Sequence, residues 1–257
     1  MSTIGTKNLS LFGARLAIVV VWFLLWEWTA RTELLPPAFI GQPSVFLASF
    51  YTHIVDGTFP AATLITLQAV AIAFVIGSVL ALLTALVMTV SPLMDKLFSP
   101  IIDALNALPR VALIPLFILW FGLGLTQKVA SGVSIMYFIL LSYTMAGAKS
   151  TDPDHLLLAR SLGITRTSVF LKIIIPTAVP AIFAGLKLGM IYTVLGVITA
   201  ELIAGGKGIG TLVSYYSNTF DPNGVFATLI MLIIITSTLT AIMSRIEKRI
   251  GRWRPDV

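Results

Sequence analysis

The segment 150–168, STDPDHLLLARSLGITRTS, decides how the chain is interpreted, because it is a polar interruption between two long apolar runs. Asp152 or Asp154 can cap the start of a helix, with Pro153 near its first turn. Gly163 is typical of a residue that ends a helix. Thr165 then caps a second helical stretch that leads into the next apolar run. The pattern predicts a short helix on one surface of a membrane protein.

The composition of the whole chain supports a membrane environment. Of its 257 residues, 57% are hydrophobic and only 11% are charged, whereas a soluble domain carries about a quarter charged residues. This balance excludes a water-soluble enzyme, a disordered tail and a fibrous protein. The chain has no cysteine and only two histidines, His53 and His155. Cysteine chemistry is therefore excluded, and we expect no metal site and no catalytic residue.

The apolar runs predict six transmembrane helices in a single domain, residues 1–257. A span needs roughly 20 apolar residues, and the six candidates lie at about 12–30, 62–90, 100–121, 126–147, 172–203 and 225–245. The first has no small-residue cleavage site before Arg31, so it is predicted to be a retained span and not a signal peptide. Pro109 and Pro115 predict a break in the third span. The segment 43–55 is expected to form one short helix between the first two spans.

The basic residues predict the orientation. Of the 17 Lys and Arg residues, only Arg31, Lys128 and Lys207 fall on the outer side if the N-terminus is cytoplasmic, and Arg110 and Lys187 fall within spans. The other twelve fall on the inner side: Lys7, Arg15, Lys96, Lys149, Arg160, Arg166, Lys172, Arg245, Lys248, Arg249, Arg252 and Arg254. This bias predicts that both termini are cytoplasmic. It also explains the net charge of +6 without a nucleic-acid partner.

The short helix at residues 153–163 has two interpretations. Its apolar residues Leu156 to Leu158 suit a helix that rests on membrane lipid headgroups. They suit equally a helix that docks into a groove of a cytoplasmic partner.

Three motifs resemble those of ABC importer permeases of the nitrate/sulfonate/taurine type. ARSLG at 159–163, followed by FLKIIIP at 170–176 and by Pro180, resembles the EAA loop, whose coupling helix docks on the ATPase subunit. ALPRVALIPLFILWFGLG at 107–124 resembles the signature of the third span, and ELIAGGKGIG at 201–210 resembles the segment after span five. Leu157 and Leu158 depart from the pattern, because they stand where the family has Glu and Ala.

The resemblance implies an all-α fold with six transmembrane helices, the type I ABC importer (MetI-like) permease fold, in the inner membrane. It implies a non-catalytic subunit with a second copy of the permease in a homodimer, two ATPase subunits that bind ATP and Mg²⁺, and an extracytoplasmic substrate-binding protein. The loop 148–171 would couple to the ATPase. The coupling residues carried over are Asp154, Leu157, Leu158, Ala159, Arg160, Ser161, Leu162 and Gly163.

Charges and amides inside the spans are candidates for the translocation path. Arg110 lies about 15 Å into span three, where a charge is costly unless it faces water, protein or a partner. It could contact an anionic substrate, or it could pair with Asp103, which lies seven residues earlier on roughly the same face of the helix. Asn106 could line the path or bridge helices.

Lys187 and Glu201 in span five are further path candidates. Lys187 could line the path or pair across the bundle, and Gly185 and Gly189 beside it are expected to let helices approach closely. Glu201, near the outer end, could seal a gate, contact the binding protein or meet the headgroups. The glycine-rich stretch that follows, residues 205–210, lacks the GK[ST] sequence of a nucleotide-binding loop, and we predict an outer turn.

Two classes of function remain at this stage. The importer permease would carry a small anion such as nitrate, a sulfonate, taurine or bicarbonate, or alternatively a pyrimidine vitamin precursor or riboflavin. An independent secondary transporter is the second class, but it usually shows inverted repeats and a carboxylate at mid-membrane. The importer permease is the function that the sequence favours.

Overall fold

A computed structural model describes the backbone of residues 3–250. It also describes their side chains, except those of residues 3–12, Pro37, Arg160, Arg166 and Ile250. Within residues 3–250 every regular element is a helix, as predicted for an all-α protein. The longer helices are α1 (Thr3–Arg31), α2 (Pro37–Ile40), α3 (Pro43–Val55), α4 (Thr58–Val90), α5 (Pro92–Asn106), α6 (Ile114–Phe121) and α7 (Leu125–Lys149). The second half holds α8 (Pro153–Ser161), α9 (Arg166–Val169), α10 (Ile175–Ala204), α11 (Ile209–Asn218) and α12 (Pro222–Ile250). Lys7, Arg252 and Arg254, which entered the orientation count, lie outside the described side chains.

Five of the described helices are long and apolar enough to cross a membrane, and a bent helix pair makes a sixth if its two parts count as one span. The break separates α5 from the segment Arg110–Phe121, and the two parts meet at an angle of 87°. Pro109 lies in the extended region, at φ −62° and ψ 109°. The helix breaks here because a proline has no N–H for the helix and disfavours helical geometry in the preceding residue, Leu108. The predicted break in span three is confirmed.

The contacts divide the chain into two compact units, residues 1–61 with 212–232 and residues 62–211 with 233–257. The single domain expected from the sequence stays a prediction. In the first unit, the Glu27 carboxylate accepts hydrogen bonds from the backbone N–H of Ser44 at 3.0 Å and from the Gln42 amide at 2.8 Å. The backbone N–H of Gln42 donates to Asn223 Oδ1 at 2.8 Å. These bonds join α1 and the first residues of α12 to the start of α3.

The second unit is organised by close packing of α7 against α10, with glycines at the contacts. A Cβ placed on Gly132 of α7 would lie 2.7 Å from Ala73 Cβ and 3.1 Å from Val197 Cγ2. On α10, a Cβ on Gly185 would lie 2.7 Å from Tyr143 Cβ, and a Cβ on Gly189 would collide with Met136. The predicted packing role of Gly185 and Gly189 is therefore confirmed, since small residues let helix backbones approach.

A buried ion pair lies at the end of the unit where α7 begins and α10 ends. Lys128 is 3% exposed, Glu201 has no exposed surface, and Lys128 Nζ lies 3.0 Å from Glu201 Oε1. The Thr66 hydroxyl donates to the same carboxylate, with oxygen–oxygen distances of 3.0 and 2.9 Å. The backbone N–H of Gly210 donates to Glu201 Oε2 at 2.9 Å. Both oxygens of this carboxylate therefore have a hydrogen-bond donor, and the charge has a cation beside it, which is what allows a charge to be buried.

Lys128 and its neighbour Gln127 provide the first test. Both side chains are buried, but neither atom of the Gln127 amide has a hydrogen-bond partner among the described residues. We expect Lys128→Met to lower the free energy of unfolding by about 3–5 kcal/mol, because it leaves the Glu201 charge buried and unpaired. Gln127→Met, of similar volume, should be neutral or stabilising.

Thermal unfolding of the detergent-solubilised protein measures both changes. The double variant Lys128→Met/Glu201→Gln should be more stable than Lys128→Met alone, because it removes both charges together. Equal destabilisation by Lys128→Met and Gln127→Met would show that the ion pair contributes nothing beyond its packing.

Candidate functional site

The predicted surface helix is α8, and its first residue follows from the local sequence. Asp152 precedes it, and the Asp152 carboxylate accepts a hydrogen bond from the backbone N–H of Asp154 at 2.9 Å. Pro153 occupies the first helical position, where its missing N–H leaves no partner unsatisfied. Of the two capping residues that the sequence allowed, Asp152 therefore caps the helix.

The end of α8 also follows from its sequence. Gly163 has φ +68°, a left-handed conformation that glycine adopts without strain. It allows the backbone N–H of Ile164 to donate to the carbonyl of Ala159 at 3.0 Å, which satisfies a carbonyl left free at the helix end. The Thr165 hydroxyl accepts a hydrogen bond from the backbone N–H of Ser168 at 3.3 Å and caps α9. Both predicted caps are confirmed.

The apolar side chains of α8, with Leu162 just after it, range from buried to exposed, and Leu156 is half-buried. Ala159 is 2% exposed, whereas Leu157, Leu158 and Leu162 are 66%, 57% and 68% exposed. Asp154 and Ser161 are exposed as well, and the side chain of Arg160 lies outside the described residues. Ala159 thus packs α8 against the protein while the leucines point away from it.

A cavity of about 390 Å³ opens beside the exposed leucines. Its lining joins α8 to the start of the fifth span and includes Leu158, Leu162, Lys172 and Pro176. Exposed leucines beside a mostly apolar cavity form a surface that could bind a helix or loop of another protein.

Arg110 lies at the break in span three. The ion pair with Asp103, one of the two alternatives considered from the sequence, is not among its observed contacts. Arg110 Nη2 donates to Asn106 Oδ1 at 3.1 Å, and Arg110 Cζ lies 4.0 Å from the centre of the Phe138 ring. The guanidinium therefore stacks on an aromatic face. Within the described side chains it has no carboxylate partner. Four of its five N–H donors are left for other acceptors.

The other two charged path candidates have partners of opposite charge. Lys187 Nζ is 3.4 Å from Glu247 Oε2 of α12, so the pairing alternative predicted for Lys187 is the one observed. Glu201 is engaged by Lys128. Since Glu201 has no exposed surface, the suggestion that it meets lipid headgroups is wrong.

The sequence analysis missed Lys128 and Thr66. Lys128 was placed among the outer loop charges, although it stands in the first turn of α7. A signal was present, because a lysine near one end of a span and a glutamate near the same membrane side of another are complementary. Nothing in the sequence showed that the two residues, 73 positions apart, face each other.

Comparison with known proteins identifies the family. The family model for the binding-protein-dependent transport system inner membrane component matches residues 77–252. A formylaminopyrimidine transport permease protein of Halalkalibacterium halodurans is 28% identical over 242 residues, which are 93% of this chain and 93% of the relative. The taurine transport system permease protein of Escherichia coli is 27% identical over 251 residues, 95% of this chain and 90% of the relative.

The fold is shared with a solved ABC transporter. One chain of an amino acid ABC transporter crystallised with histidines superposes with a TM-score of 0.64 at 22% identity, covering 79% of this chain and 98% of that one. The predicted type I ABC importer permease fold is therefore confirmed. On the match of the family model to more than half of its residues, the chain belongs to the binding-protein-dependent transport system inner membrane components, the permease subunits of ABC importers.

Proposed function

We propose that this inner-membrane, multi-pass chain forms the translocation path of an ABC importer as one half of a homodimer. Two separate ATPase subunits would bind ATP and Mg²⁺ and supply the energy, so that the chain itself is non-catalytic. An extracytoplasmic binding protein would deliver the substrate. The excess of Lys and Arg on one side supports cytoplasmic termini and places α8 on the cytoplasmic side.

The exposed leucines of α8 carry the proposal that this helix couples to the ATPase. A helix that only rested on lipid would gain by turning all its apolar residues toward one membrane-facing side. Instead Ala159 is buried in the protein while Leu157, Leu158 and Leu162 project from it. A ridge of this kind fits a groove in a partner subunit. The leucines at the positions of the usual Glu and Ala make this contact apolar.

The first test of coupling is a mild-detergent pull-down of the tagged permease from its native membrane, with mass spectrometry. We expect an ATPase subunit to co-purify with the wild-type chain. Leu157→Ser should reduce its recovery several-fold, because an exposed apolar contact is lost. Leu34→Ser is the matched control, since Leu34 is also 66% exposed but lies in the linker after α1. A permease that purifies alone in the presence of the expressed ATPase would contradict the importer assignment.

Gly163 gives a second test of the same helix. Its φ of +68° is strained for other residues, although no atom lies within 4 Å of a Cβ placed there. Gly163→Val should therefore distort the end of α8 and lower uptake per ATP hydrolysed, with membrane insertion intact. Gly163→Asn is the control, because asparagine tolerates the left-handed region and should keep most of the coupling. Normal coupled uptake by Gly163→Val would count against the coupling role.

We infer that the substrate is a small anion, and that Arg110 with Asn106 contacts it in the path. Arg110 supports this because it is a cation inside a broken span with free donors and no carboxylate partner among the described side chains, whereas Lys187 and Glu201 are engaged by partners in the chain. A guanidinium fork matches the oxygens of sulfonate, nitrate or carboxylate. The relative named for taurine agrees with a substrate that carries an anionic sulfonate group. The relative named for formylaminopyrimidine keeps a neutral pyrimidine as the alternative.

Uptake by proteoliposomes that contain the whole transporter tests this substrate class. With taurine, nitrate and formylaminopyrimidine as probes, Arg110→Gln should lower anion uptake by about tenfold or more, because a charged hydrogen-bonding contact is lost. Arg110→Lys should keep part of the activity, and Lys207→Gln, which removes one exposed charge outside the spans, should keep nearly all of it. Uptake of formylaminopyrimidine alone, unaffected by Arg110→Gln, would overturn the anion assignment while leaving the importer assignment intact.

A further inference from the structure

The turn at residues 205–210, which follows α10 and includes the first two residues of α11, is held by side chains from α4, α7 and α10. Gly205 and Gly208 have φ values of +69° and +129°, so the turn follows a path that only glycine adopts readily. A Cβ placed on Gly208 would overlap the Glu201 carboxylate. The backbone of the turn therefore packs directly against the Glu201 carboxylate of the buried ion pair.

Three hydrogen bonds attach the backbone of the turn to three spans. The Lys128 ammonium of α7 donates to the carbonyl oxygen of Lys207. The Thr66 hydroxyl of α4 accepts from the backbone N–H of Ile209 at 2.9 Å. The Glu201 carboxylate of α10 accepts from the backbone N–H of Gly210 at 2.9 Å. We call Thr66, Lys128 and Glu201 the clamp.

The clamp and α8 lie at opposite ends of the same pair of helices. Lys128 is in the first turn of α7, whose last residue, Lys149, comes just before α8. Glu201 is in the last turn of α10, which is joined to α9 by the π-helical segment Phe170–Ile174. The 25 residues of α7 span roughly 37 Å. Any displacement of α8 therefore acts on one end of a helix pair whose other end is locked by the clamp.

The packing between the clamp and α8 leaves the two helices little freedom to slide. Gly132 and Gly196 hold the α7 and α10 backbones close near the clamp, since a Cβ on Gly196 would lie 2.8 Å from Ile135 Cδ1. Gly185 does the same nearer to α8, against Tyr143. Close-packed interiors transmit displacement because they resist deformation.

We propose that α7 and α10, locked by the clamp, move as one lever that carries a displacement of α8 to the turn at 205–210. Thr66, Lys128 and Glu201 are then positioning residues for transport, acting on the surface opposite α8. The lever rests on the proposed function, since the ATPase would be what displaces α8. The attachment of the turn by the clamp is independent of that function.

The chain contains no cysteine, so single cysteines can be introduced and spin-labelled without further changes. Lys207→Cys places a label on the turn, because this side chain is exposed and only its backbone carbonyl is bonded to the clamp. Leu123→Cys is the control position, exposed just before α7 and outside the clamp. In the permease alone, Thr66→Val should increase the mobility of the label at 207 and leave the label at 123 unchanged. Thr66→Ser, which keeps the hydroxyl, should restore the wild-type spectrum.

The lever is tested in the complex with its ATPase, comparing the nucleotide-free state with the state trapped by ATP and vanadate. The label at 207 should change environment between these states in the wild-type protein. In Thr66→Val and Glu201→Gln that change should be lost, and uptake per ATP hydrolysed should fall by about threefold or more. Thr66→Val removes only a hydroxyl, so it keeps the test valid if Glu201→Gln fails to fold.

The possible failures are distinguishable. If no ATPase binds, the proposed function is wrong, whatever the mobility of the label in the permease alone. If the ATPase binds and hydrolyses ATP but the label at 207 does not respond, the lever is wrong and the importer assignment stands. If the clamp variants only lower the melting temperature, with the response of the label and the coupling unchanged, the clamp is structural and the proposal is overturned.

Discussion

The buried ion pair between Lys128 and Glu201 is the constraint on which the second unit depends. Burial of either charge alone would be prohibitive in a region of low dielectric, so each residue needs the other. The carboxylate also needs the Thr66 hydroxyl and the N–H of Gly210 as further hydrogen-bond donors. These requirements bring α4, α7, α10 and the turn after α10 to one point. The glycine contacts between α7 and α10 then extend the same arrangement toward α8.

The three cations in or beside the spans are stabilised by three different kinds of contact. Lys128 is fully enclosed and paired with Glu201, and Lys187 is half-exposed and paired with Glu247. Arg110 instead stacks on the Phe138 ring and donates a hydrogen bond to the amide oxygen of Asn106. Stacking of this kind keeps a guanidinium in place without neutralising it. A charge that is held but not neutralised is the physical reason why Arg110 is proposed to contact an anionic group.

The surface helix α8 shows how local sequence can specify a contact surface. Its caps, Asp152 and Gly163, limit it to nine residues, Pro153–Ser161. With so short a helix, one small buried residue is enough to set the orientation, and Ala159 has that role. Leu157 and Leu158, two and one positions before Ala159, are then exposed as a consequence of helical geometry, since they point in other directions. Leu162 is exposed just after the last residue of the helix.

The sequence by itself determined the five long apolar helices, the break at Pro109, and both ends of α8, because hydropathy over a span and capping chemistry act over a few neighbouring residues. The family motifs likewise predicted the fold, which the structural comparison confirmed. Tertiary structure alone decided that Lys128 is buried against Glu201, that Arg110 contacts Asn106 and Phe138 and not Asp103, and that Lys187 meets Glu247. The partner that a side chain contacts depends on where the neighbouring helices lie, and no local sequence pattern supplies that information.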